Sequence, residues 1–103
     1  MSFELKVYSK EAEHLLTAVL NGPEYDILEL HLAKLQKQRA PGSAGIRIQW
    51  AKRTIHVLTY LSLRSQRIYL LSYYLEGKGE PSPFQLAKVA RYIEEIQFHE
   101  SMR

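Results

Sequence analysis

The stretch Ile46–Leu75, IRIQWAKRTIHVLTYLSLRSQRIYLLSYYL, carries the pattern on which the fold turns. Ile46, Ile48 and Trp50 alternate with Arg47 and Gln49. Further on, Ile55, Val57, Thr59, Leu61 and Leu63 alternate with His56, Leu58, Tyr60 and Ser62. A period of two is the signature of a strand, so Arg47 and Gln49 fall on the face opposite the isoleucines. His56 and Tyr60 likewise share one face. A turn near Arg64-Ser65-Gln66 leads to Arg67–Tyr74, apolar at both parities, as in a central strand.

Reading outward, Phe3, Leu5 and Val7 alternate with Glu4, Lys6 and Tyr8, which predicts a half-buried first strand. Ser9 is placed to cap a helix whose face is Ala12, Leu15, Leu16 and Val19. Asn21-Gly22-Pro23 ends it and opens a second helix over about Glu24 to Gln38, with the stripe Tyr25, Leu28, Leu32 and Leu35. Ala40-Pro41-Gly42-Ser43 reads as a loop before the three strands, and Gly77 to Pro83 as a loop after them. Ser82 to Gln85 reads as a capping box for a last helix to about Phe98, with Leu86, Val89, Ile93 and Ile96 on one side and a frayed end from His99. The order is strand, helix, helix, three strands, helix. The expected architecture is a single α+β domain over residues 1–103. In it a small antiparallel sheet carries its helices on one face and leaves the other for a partner.

Charge is divided unevenly. Between Glu29 and Glu76 there are eight Lys or Arg and no acid, although the whole chain of 103 residues has only +3 net charge. Trp50, Tyr60, Tyr69, Tyr73 and Tyr74 lie within that basic middle. Cations interleaved with aromatic rings suit a phosphate backbone and unpaired bases, though a solvated face balancing acidic helices has the same composition. There is no cysteine, which excludes disulfides, thiol nucleophiles and thiolate metal sites and fits a reducing compartment. The N-terminus lacks the apolar run of a signal peptide. Arg64 and Arg67 break the most apolar segment, so a cytoplasmic protein without a membrane span is expected. His14, His31, His56 and His99 lack metal-ligand spacing, and no metal or cofactor is implied.

The order of elements, the run Gly42-Ser43-Ala44-Gly45-Ile46-Arg47-Ile48-Gln49-Trp50-Ala51 and the segment Arg67-Ile68-Tyr69-Leu70-Leu71-Ser72-Tyr73-Tyr74 before a charged loop and closing helix together resemble the RelE/HigB superfamily. Its members are toxins of bacterial type II toxin–antitoxin pairs. The resemblance implies a ribosome-dependent endoribonuclease that cuts messenger RNA through attack of a 2′-OH on the adjacent phosphate, without metal, and is silenced by a cognate antitoxin. His56 stands where the family tends to carry Arg. Glu76 stands where a Lys commonly follows the fourth strand, and Gln49 takes a second basic position.

Such chemistry needs cations for the developing phosphate charge and groups that move protons. The candidate catalytic residues are Arg47, His56, Tyr60 and Tyr74. The candidate RNA contacts are Lys37, Arg39, Lys52, Arg53 and Lys78. Each has an ordinary structural reading beside it: an ion-paired arginine, a hydrogen-bonded strand histidine, packing tyrosines, solvated turn lysines. Lys37 and Arg39 also complement the negative end of their helix. Two functions stay open, the RNA-cleaving toxin and a non-catalytic binding module on the same fold.

Overall fold

The computed structural model describes residues 3–78 and 81–102. The chain runs β1 (Glu4–Val7), α1 (Lys10–His14), a π-helical turn (Leu15–Val19), α2 (Gly22–Gln38), β2 (Gly42–Trp50), β3 (Arg53–Ser62), β4 (Arg67–Leu75) and α3 (Pro83–Ser101). The strands form one sheet in the order β1-β4-β3-β2. The expected loop over residues 77–83 lies partly outside the described residues. No helix among the described residues is long and apolar enough to cross a membrane.

The helix boundaries follow local chemistry. The Ser9 hydroxyl accepts from the Ala12 N–H at 3.0 Å. The helix it starts is regular to His14 and then widens, the Leu20 N–H reaching back to the Leu15 carbonyl at 3.0 Å. The capping box stands at the start of α2: the Asn21 side chain accepts from the Glu24 N–H, and the Glu24 carboxylate from the Asn21 N–H. The box expected at Ser82 is only half made. Ser82 caps the Gln85 N–H, but the Gln85 amide turns to the Ser72 hydroxyl and the Tyr73 carbonyl at 3.0 Å each, stitching α3 to β4.

Two features of the expected architecture are corrected. The sheet is mixed, because β1 runs parallel to β4, pairing Glu4–Val7 with Arg67–Leu70. No hairpin joins these strands, so nothing forces them antiparallel. Helices also cover both faces. Ile46, Ile48, Ile55, Val57, Ile68 and Leu70 pack with Leu15, Leu28 and Leu32 beneath α1 and α2, whereas Tyr69 and Leu71 pack with Ile96 of α3 on the other side. A strand apolar on both faces has to be buried on both, which a single helical layer does not achieve. Between Leu58 and Thr59 the pairing steps from Ser72 to Leu70, leaving Leu71 as a bulge that adds apolar surface on the α3 side.

Other expectations shift at the margins. Phe3 is buried, but Leu5 and Val7 are exposed because β1 is an edge strand beyond the helical cover. Strand β2 begins at Gly42, inside the expected loop, where Gly42 takes a φ of 108° open to glycine. The end of α3 continues through Ser101 and is anchored there. The Glu100 carboxylate accepts from the Ser62 and Ser65 hydroxyls at 2.7 Å each and from Tyr69 at 3.4 Å.

Candidate nucleic-acid interface

Cross-strand register brings three of the candidate residues into a row. Arg47 of β2 is directly opposite His56 of β3, which is directly opposite Tyr74 of β4. Side chains opposite one another on one face are within reach of each other. The His56 and Tyr74 rings stack with centroids 4.7 Å apart and planes 12° from parallel. His56 is half-buried, and Arg47 is exposed and makes no ion pair among the described residues.

The imidazole is held by Glu76, just past the end of β4, with Nε2 at 3.1 Å from its Oε1. The Glu76 N–H bonds the Thr54 carbonyl at 3.0 Å, which continues the ladder and fixes where that carboxylate sits. An ionised carboxylate only accepts, so this contact selects the tautomer with the proton on Nε2 and leaves Nδ1 as the basic nitrogen. The row thus offers a cation, a base and a flat aromatic ring side by side.

The remaining candidates are dispersed. Tyr60 lies on the same face as His56, four residues along β3 and roughly 13 Å away. It is paired with Tyr69, and its hydroxyl accepts from the Gln97 amide of α3 at 3.3 Å, so it belongs to the α3 contact. Lys52 is exposed in the two-residue turn between Trp50 and Arg53, at the same end of the sheet as Arg47. Lys78 follows Gly77, whose φ of 85° turns the chain, and its N–H bonds the Leu75 carbonyl at 3.2 Å.

Arg53 points to the α1/α2 side, where it binds the Glu24 carboxylate and the Val19 carbonyl. Lys37 and Arg39 belong to the end of α2, on that same side. Arg39 takes a left-handed φ of 52° at the C-cap, with its guanidinium 5.8 Å from the centre of the Phe3 ring. These three cations therefore do not join the Arg47–His56–Tyr74 row.

The role of Glu76 was hidden in the sequence, where it reads only as an acid in a basic position. Its signal is that it lies two residues beyond Tyr74, on the same side of the extended chain. Among the described residues no cluster of three or more His, Cys, Asp or Glu is arranged to hold a metal ion. Neither protein-family models nor curated proteins give a match to this chain.

Proposed function

We propose that the protein is an RNA-cleaving toxin of the RelE/HigB kind, acting on messenger RNA at the ribosome and held in check by a cognate antitoxin. The observation that supports this reading is the row Arg47–His56–Tyr74, with the imidazole oriented by Glu76 and Lys52 exposed in the turn at the same end of the sheet. In the proposed reaction His56 Nδ1 takes the proton of a ribose 2′-OH as that oxygen bonds to the adjacent phosphorus. The bond from phosphorus to the 5′-oxygen breaks, and that oxygen takes a proton from the Tyr74 phenol, leaving a 2′,3′-cyclic phosphate and a 5′-OH. Arg47 offsets the charge gathering on the phosphate oxygens.

Glu76 also favours a second reading, a non-catalytic module that binds RNA or an antitoxin, because it sets a negative charge beside the phosphate position. Purified protein added to a translation extract with a defined message separates the two. Cyclic-phosphate ends that need Arg47 and His56 support the nuclease. Salt-sensitive RNA binding with no cleavage, with or without ribosomes, supports the binding module. Neither cleavage nor binding ends both.

A further inference from the structure

Strand β1 pairs with β4 only as far as Leu70, after which Ser9 turns the chain into α1. The rest of β4, to Leu75, runs on with no strand beside it on that side among the described residues. The gap is a cleft of about 720 Å³ bounded by α1, the end of β4 and the first turn of α3. Lys10 and His14 line it from α1, Tyr73 and Tyr74 from β4, Lys78 from the following turn and Phe84 from α3. Tyr74 belongs to both places: the residue that stacks on His56 is also a wall of the cleft. The cleft therefore opens directly beside the row.

Its chemistry is aromatic and cationic. Glu11 also lines it, but its charge is answered by Lys88 at 3.3 Å and by the Tyr92 hydroxyl at 3.3 Å. Burial pushes the Glu11 carboxyl up, and hydrogen bonds from its own backbone N–H and from Lys88 more than offset that, holding it below the usual carboxylate range. Among the described residues that line the cleft, Lys10 and Lys78 are left as the exposed charges. Phe84 is 80% exposed, so packing within the chain does not account for an aromatic ring there. A flat ring, further aromatic walls and two ammonium groups match an unpaired nucleotide, with a base for the ring and a phosphate for the cations. The cleft is open to solvent on one side, and its volume falls within the roughly 300–1,000 Å³ range of small-ligand sites, room enough for one nucleotide.

We infer that this cleft holds the nucleotide next to the scissile phosphate of a single-stranded RNA, its base on Phe84 and its outer phosphate met by Lys10 and Lys78. The inference rests on the RNA-cleaving reading of the row and extends it into a strand-binding path.

The test is fluorescence anisotropy with a labelled hexaribonucleotide, 2′-O-methylated so that it is not cleaved, over a salt series. Phe84→Ala is expected to weaken binding about tenfold. Lys10→Ala is expected to lower the slope of log affinity against log salt by about 0.7. Both side chains are exposed, so the variants keep the fold. If Arg47→Ala weakens binding while Phe84→Ala and Lys10→Ala bind as wild type, the cleft assignment is overturned and the row stands. If the wild type binds no RNA, the cleft assignment is overturned, and cleavage in the translation extract decides the row. If the cleft variants keep their RNA affinity but lose affinity for a polyglutamate peptide, the cleft serves an acidic protein segment and the inference is wrong.

Discussion

Arg53, the first residue of β3, grips both carboxylate oxygens of Glu24 in the first turn of α2. Its Nε is 2.8 Å from Oε2, and its Nη2 meets Oε1. The same Nη2 donates to the Val19 carbonyl at 2.9 Å, at the end of the π-helical turn. One guanidinium thus ties the sheet to both helical segments above it, and the Glu24 side chain it serves is only 1% exposed. Removing the arginine strands a buried carboxylate. Arg53→Ala is expected to cost about 2–3 kcal/mol, less than a fully buried pair because the Arg53 side chain remains 41% exposed. Urea denaturation measures it, and Lys at this position should recover little, having no fork to bind both oxygens.

The same pair makes stability depend on pH in a defined direction. The Arg53 hydrogen bond, helped by the Asn21 N–H, holds the Glu24 carboxyl below its ordinary range against the opposing effect of burial. A carboxyl depressed in the folded state adds stability that is present above the unfolded value, about 4.3. That stability is lost as pH falls through the folded value. Unfolding midpoints are therefore expected to drop as the solution is acidified below about pH 4.3. Glu24→Gln should be less stable at neutral pH and show a flatter acid limb, and an unchanged limb would remove Glu24 from the explanation.

For the proposed reaction, Arg47→Ala is expected to slow cleavage about 10²- to 10³-fold, as when an oxyanion-stabilising donor is removed. His56→Ala should slow it about 10²- to 10⁴-fold, as when a general base is removed. Glu76→Gln keeps a hydrogen-bonding group but no charge to hold the Nε2 proton, so its loss should be smaller than that of His56→Ala. Single-turnover cleavage of a defined message reads all three. Rates equal to wild type in Glu76→Gln would show that the carboxylate does not orient the base.

Glu100 anchors the last turn of α3 through three hydroxyls. Ala at this position leaves the buried Ser62 hydroxyl without its acceptor, keeping only the Ser65 N–H that donates to it at 3.3 Å, at an expected cost of about 1–3 kcal/mol. Amide exchange over residues 97–101 should quicken more than exchange in β3 and β4, since the loss is local.

Ala51, in the turn between β2 and β3, takes a φ of 53°, a left-handed conformation that its Cβ disfavours. Ala51→Gly relieves that strain against a higher cost in chain entropy, for an expected net gain of about 0.5–1 kcal/mol. Thermal unfolding checks it, and a lower melting temperature would show the turn to be unstrained.

Period-two alternation from Ile46 to Leu75 determined the three strands and placed Arg47 and His56 on one face, because side-chain direction along a strand is a local property of the backbone. The Ser9 cap and most of the stripes of the first two helices were legible for the same reason, although Ile27 rather than Tyr25 packs against the core from α2. The two-sided apolar pattern of Arg67–Tyr74 marks a central strand, but only the packed structure showed that its second face is covered, and that α3 covers it. What local pattern leaves open is pairing across distance. Nothing in the order of residues says that Arg53 faces the helices and binds Glu24, that Glu76 turns back to His56, or that Lys10 and Phe84, far apart in the chain, border one cleft. Those relationships follow from how the strands stack and where β1 leaves the sheet, and tertiary packing alone sets them.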